Sequence, residues 1–215
     1  MRNLFLLLLV VSSNLSLMAQ KRVVRSVTYK ANLLEVSTLG LDEIKVETID
    51  GDKVEVLLLA ENTTKQFVIF EEGEEKLILR FQFQSLKRES TVFRKYITER
   101  LERGTAIIRV PKNTSINITG ENCNVIVDAD LNDFSLDLLN SIIRFNKIPK
   151  QSSVQFHAGN FYTKMRDQSI DLKTNTGTLS IDGEQQPKKT LKMVKENSQK
   201  LRIRTIKGNI FLTSQ

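Results

Sequence analysis

The 215-residue chain holds one cysteine, Cys123, and one histidine, His157, and these two shortages already exclude a good deal. With a single thiol no internal disulfide can form, so stability has to come from burial and strand pairing. With a single imidazole neither a multi-histidine metal site nor a Ser-His nucleophile pair can be assembled. Helical periodicity is scarce. The apolar run at residues 4–11 is cut by Ser12, Ser13 and Asn14, well short of the roughly 20 apolar residues a membrane-spanning helix needs. Acidic residues are scattered at differing strand phases. Asp137 and Asp171 come closest to the paired carboxylates of a glycan-cleaving enzyme, but their phases differ and nothing clusters around them. The six-residue rhythm of left-handed-helix acyltransferases is missing too: stepping by six from Val125 gives Leu131, Asp137 and Ile143, losing apolar character at once.

What the chain does have is alternation. Ile44 and Val46, Val54, Val56 and Leu58, and Leu77, Leu79, Phe81 and Phe83 are separated by mostly polar or charged residues, the pattern of half-buried strands. Leu34 and Val36, Ile44 and Val46, then Val54 and Val56 are spaced by 10, which predicts a loose N-terminal repeat with Gly51 and Asp52 in a turn. Residues 67–70 and 77–83 flank Glu71, Glu72, Gly73, Glu74 and Glu75, a β-hairpin with an acidic tip. Over residues 85–104 the alternation gives way to a basic segment, with Phe93, Ile97 and Leu101 at helix-compatible spacing.

From residue 114 onward the alternation acquires an 18-residue register. The apolar phases run Ile116, Phe134, Ser152, Ile170; Ile118, Leu136, Val154, Leu172; Val125, Ile143, Phe161, Leu179; and Val127, Phe145, Thr163, Ile181. A fixed period of this size predicts a stack of small units, each burying its neighbour's apolar face. Each unit reads strand, turn, strand, turn, with a small residue at one turn position: Cys123, Ser141, Gly159 and Gly177 in succession. A further copy at Leu201, Ile203, Gly208, Ile210 and Leu212 is displaced by 31 residues from Ile170, so an extra 13 residues lie within residues 185–199. The fold class expected is all-β, a single-domain β-helix or β-solenoid-like stack of about 18-residue strand-turn-strand repeats, regular over residues 114–215.

Arg2, the short apolar run and Ala19 before Gln20 read as a secretory signal peptide at residues 1–19, leaving residues 20–215 as one domain. Removing Arg2 takes the formal net charge from +7 to 7 − 1 = +6, which favours acidic partners. Export makes nucleic acid the least fitting of these. The basic character is concentrated in Lys188, Lys189, Lys192, Lys195, Lys200, Arg202, Arg204 and Lys207, with only Glu196 among them. These eight are the candidate site for an anionic glycan, a lipid headgroup or an acidic envelope protein, against the plainer reading of a solvated face.

Other candidates fare worse. Asp128, Asp130, Asn132 and Asp133 imitate the start of a calcium loop, yet the sixth position is Asp133 and the twelfth Leu139 where glycine and glutamate are needed. Cys123 shares its phase with small turn residues, and His157 is placed in a turn without partners. No metal or other cofactor is implied.

The segments "RVPKNTSINITGENCNVIVD", "TNTGTLSIDG" and "IKGNIFLTSQ" resemble the putative adhesin domains of bacterial envelope proteins, over most of the mature chain. The resemblance implies stacked β-repeats of β-helix or toast-rack type. The chain departs from the tidiest members by lacking glycine at Cys123 and Ser141 and by the insertion at residues 185–199. The expected function is that of an exported, non-enzymatic scaffold or interaction protein, adhesin-like, in the periplasm or at the cell surface, with no transmembrane segment in the mature chain. The alternative is a glycan-active β-helix enzyme acting on acidic polysaccharide.

Overall fold

The computed structural model describes residues 21–60, 66–83, 104–196 and 198–214. The leader at 1–19 and nearly all of the charged 85–104 segment lie outside the described residues. Within them every element is a strand, and all 17 strands belong to one sheet. No helix of the described residues is long and apolar enough to cross a membrane.

The strands pair in two runs. The first runs β5 (Gln66–Glu72), β6 (Lys76–Phe83), β2 (Leu33–Ser37), β8 (Ser115–Thr119), the first half of β10 (Asp133–Phe145), the first half of β11 (Gln151–Lys164), β16 (Gln199–Thr205), β12 (Gln168–Thr174) and β15 (Thr190–Met193). The second runs β1 (Lys21–Thr28), β4 (Lys53–Ala60), β7 (Gly104–Pro111), β3 (Leu41–Ile49), β9 (Asn124–Asp128), the second halves of β10 and β11, β17 (Asn209–Thr213), β13 (Leu179–Ile181) and β14 (Glu184–Gln185). Interior pairings are parallel. Antiparallel pairing appears only toward the ends, at β1–β4–β7, β5–β6, β12–β15 and β13–β14.

The 18-residue offset governs the middle of both runs. Phe134 sits opposite Ile116 on one side and Ser152 on the other, and Ile143 sits between Val125 and Phe161. Beyond β11 the order departs from the expected one. Leu201 and Ile203, not Ile170 and Leu172, lie against Ser152 and Val154, and Ile210 and Leu212, not Leu179 and Ile181, lie against Phe161 and Thr163. Ile170 and Leu179 pair instead with Leu201 and Ile210. The C-terminal segment is thus intercalated between two units that precede it in sequence.

Parallel strands cannot follow one another without a return path, and the 13 extra residues help supply it: β14 and β15 run back antiparallel along β13 and β12 before the chain re-enters as β16. The N-terminal end uses the same device. β2 lies between β6 and β8, and β3 between β7 and β9, so Leu34 meets Leu77 and Ile116, and Ile44 meets Ala106 and Val125. The spacing by 10 therefore does not stack Leu34, Ile44 and Val54 on one another. Gly51, at φ 111°, does occupy the turn before β4, and the acidic hairpin forms as β5–β6.

The inward phases fill one apolar core in which Ile44, Val125, Ile143, Phe161, Ile203 and Ile210 have no solvent exposure. Phe145 meets Phe134 and Phe161 edge to face at centroid distances of 5.3 and 5.1 Å, the arrangement that ring quadrupoles favour. Of the two polar residues that interrupt the phases, Thr163 donates its hydroxyl to the Phe145 carbonyl at 3.2 Å. Ser152 Oγ is buried with no partner among the described residues.

The small-residue column does not lie in turns throughout, since Ser141 and Gly159 fall within the continuous strands β10 and β11, and it is small because neighbouring strands meet closely there. Ser141 Oγ donates to the Cys123 carbonyl at 2.6 Å. Gly159 has φ 116°, and a Cβ on it would lie 2.0 Å from the Ser141 carbonyl oxygen, so only glycine fits on both counts.

Candidate functional site

In the first run, side chains alternate between the core and an outer face, and register fixes which outer residues are neighbours. One row reads Glu35, Asn117, Ser135, Ser153, Arg202, Asp171 and Lys192. The next row reads Thr119, Asp137, Gln155, Arg204 and Lys173. Lys200 belongs to a third row, beside Gln151 and Ser169.

The structure accordingly divides the eight basic candidates. Lys192, Lys200, Arg202 and Arg204 share this outer face, and Lys173, which the sequence reading passed over, joins them. Lys195 is held by Asp167 at 2.8 Å, and Lys189 Nζ donates to the Gly177 carbonyl. Lys188 lies in the exposed link between β14 and β15, and Lys207 in the link between β16 and β17, where its backbone N–H donates to the His157 carbonyl at 2.7 Å.

Asp171 sits at the centre of the shared cluster. Its Oδ2 accepts from Arg204 Nη2 at 2.5 Å and lies 3.5 Å from Arg202 Nε. Arg204 Nη1 also donates to the backbone carbonyls of Asp171 and Ile203 at 2.8 and 2.9 Å, so its guanidinium is fixed in place. The hydrogen bond from Arg204 holds the Asp171 carboxyl below its ordinary value against a smaller desolvation effect, and the charges of Arg204, Arg202 and Lys192 add to the lowering. Arg202 remains 65 % exposed. Lys173, Lys192 and Lys200 are exposed and make no salt bridge within the described residues. Three cations therefore act on one carboxylate, and Lys173 and Lys200 stand in the rows on either side.

Two shallow depressions border the cluster. The larger, about 660 Å³, is lined by Asn117, Ser135, Ser153, Lys200 and Arg202 among others. A second of about 350 Å³ is lined by Asp137, Gln155, His157, Lys173 and Arg204 among others. His157 lies within β11 rather than in a turn and is half-buried.

Asp137 and Asp171 stand in adjacent rows separated by β11 and β16. Three strand spacings of about 4.8 Å place them roughly 14 Å apart across the sheet. In the calcium-loop imitation the acidic side chains are engaged separately. Asp130 pairs with Lys147 at 3.2 Å, and Asp133 accepts from Ser115 and Asn132 at 3.1 and 2.9 Å. Among the described residues no group of three or more His, Cys, Asp or Glu side chains is placed to hold a metal ion.

The outer face of the second run holds a feature that sequence reasoning missed. Tyr162 stacks on Phe211 at a centroid distance of 5.0 Å, and Arg144 lies 5.7 Å over the Tyr162 ring. The two rings are 49 residues apart and become neighbours only because β17 inserts beside β11.

A solved structure shares the architecture. A putative cell adhesion protein from Clostridium sporogenes ATCC 15579 superposes with a TM-score of 0.61 at 12 % identity, covering 91 % of this chain and 99 % of its own. The likeness is one of fold. Putative adhesins from Bacteroides fragilis NCTC 9343 and Parabacteroides distasonis ATCC 8503 each align over 92 % of this chain and 98 % of their own, at 9 and 11 % identity, with TM-scores of 0.33 and 0.30. No protein-family description matches the sequence, and no curated protein does.

Proposed function

We propose that this protein is an exported, non-enzymatic interaction protein of the bacterial envelope or cell surface. In this reading its two strand runs form a solenoid-like stack, whose outer face binds an acidic envelope component. The observation that carries it is the gathering of Lys173, Lys192, Lys200, Arg202 and Arg204 near Asp171 at one end of an outer face whose other row carboxylates, Asp137 and Glu35, stand on β10 and β2. The fold shared with the Clostridium protein supports a scaffold role. The signal-peptide pattern of residues 1–19 supports export. A non-catalytic role is favoured by the spacing of Asp137 and Asp171. About 14 Å is wider than the roughly 5–9.5 Å at which paired carboxylates cleave a glycosidic bond.

Binding of this kind should be strong at low ionic strength and fade as the Debye length contracts from about 30 Å at 0.01 M salt to about 8 Å at 0.15 M. The test compares retention of the native protein and a Lys192→Gln, Lys200→Gln, Arg202→Gln triple variant on anionic and neutral polysaccharide across that range. The variant should lose most of its retention on the anionic matrix. Equal retention of the two proteins would return the cluster to a solvated face.

A further inference from the structure

Resting on that reading of the basic face, we propose that Asp171 is a built-in competitor for the ligand. In this proposal its carboxylate occupies the Arg202–Arg204 position until a carboxylate of an acidic polysaccharide lying across β11, β16 and β12 displaces it.

The geometry separates a locked cation from an available one. Arg204 spends its donors on the Asp171 carboxylate and on two backbone carbonyls, whereas Arg202 touches Asp171 only at 3.5 Å and is largely exposed. A single oxygen, Asp171 Oδ2, serves both guanidinium groups. An incoming carboxylate would find the same donors, with Lys173, Lys192 and Lys200 around them, and would regain what Asp171 gives up.

The rest of the face identifies the occupant. The rows leading away from the cluster over β16, β11, β10 and β8 present Ser153, Ser135 and Asn117 in one and Gln155, Asp137 and Thr119 in the other. Apart from the one carboxylate of Asp137 these are hydroxyl and amide groups, and all of them can hydrogen-bond sugar hydroxyls. The exposed large apolar residues Val24, Leu39, Leu139, Ile142, Met193, Val194 and Ile206 lie outside these rows, with Leu139 and Ile206 on the rim of the smaller depression, so the rows themselves are polar and carry no apolar wedge of the kind a lipid surface would take up. The two depressions beside the cluster continue along the same rows. A sugar chain running across the strands would meet cations at one end and hydrogen-bonding groups at the other.

The experiment measures binding of polygalacturonate, neutral dextran and phosphatidylglycerol vesicles to the native protein, Asp171→Asn and the double variant Asp171→Asn, Arg204→Gln. Unfolding midpoints are recorded for all three. The proposal expects Asp171→Asn to bind polygalacturonate about fivefold more tightly, the scale of one partly exposed ion pair removed. It also expects the double variant to lose that gain and dextran to remain unbound. Native protein that binds while Asp171→Asn binds equally or more weakly overturns the competitor role and leaves the anion-binding reading standing. Neither protein binding polygalacturonate at low salt overturns both. Tighter binding of vesicles than of polygalacturonate overturns the choice of occupant.

Discussion

At the scale of single residues, two kinds of position matter most: those where rungs touch and those where charges gather. Gly159 is the clearest of the first kind. Its positive φ and the Ser141 carbonyl 2.0 Å from a would-be Cβ leave little room for adjustment, because both residues belong to the backbone of the β10–β11 ladder. Gly159→Ala should cost about 2–4 kcal/mol, the range for strain at a special backbone position joined to overpacking. A urea unfolding series that places this variant within about 0.5 kcal/mol of the native protein, the range of a neutral surface change, would contradict this. The need for a small residue was legible in the chain, since Cys123, Ser141, Gly159 and Gly177 recur at one phase. The reason Gly177 is small was not: its Cβ would meet the Gly208 carbonyl at 1.9 Å, a neighbour 31 residues on.

At the scale of strands, the unusual member is the last one. β17 is paired on both sides, with β11 and with β13, and Asn209 ties it to both rungs: its Nδ2 donates to Asn160 Oδ1 at 3.0 Å and its Oδ1 accepts from the Thr178 N–H at 2.9 Å. Gly208 reinforces the seam by accepting the Thr174 hydroxyl at 2.8 Å. A truncation ending at residue 207 therefore removes an interior rung rather than a fraying end. It would leave Phe161 and Leu179 without the burial that Ile210 gives them and open two strand edges. Loss of a cooperative thermal transition by circular dichroism is the expected result. A truncated protein that melts cooperatively within a few degrees of the native one would show that β17 is peripheral. Strand existence was readable here from alternation alone. The order of strands was not, because Ile170 and Leu201 carry the same phase and either could follow Ser152.

At the scale of the whole molecule, charge sets how the fold responds to pH. The carboxyls of Asp171 and Glu47 are both lowered from their ordinary values, Asp171 first by its hydrogen bond from Arg204 and Glu47 first by that from Lys45. A carboxyl depressed in the folded state binds protons less readily than in the unfolded chain. Its contribution is thus present above the unfolded value of about 4 and is lost as pH falls through the folded value below that. Both pairs are partly exposed, so each contributes no more than about 1 kcal/mol. The unfolding midpoint should hold steady from pH 7 to about 5 and then decline below about 4. In Asp171→Asn that decline should be shallower, and a decline of unchanged steepness would contradict the assignment.

The sequence by itself determined the inward and outward faces of each strand, the small-residue corner and the 18-residue offset of the central units. All of these follow from the two-residue period of a strand and from connections too short to permit another neighbour. Only the tertiary structure decided which unit stacks on which at the two ends, because parallel strands of equal phase are interchangeable until a return path and specific contacts choose among them. β14 and β15 help provide that path, and Asn209, Gly208 and the Arg204–Asp171 pair provide the contacts. The basic run in the chain became a cluster around one carboxylate for the same reason: intercalation put β16 beside β12, and a diagonal between strands 33 residues apart brought Arg204 to Asp171.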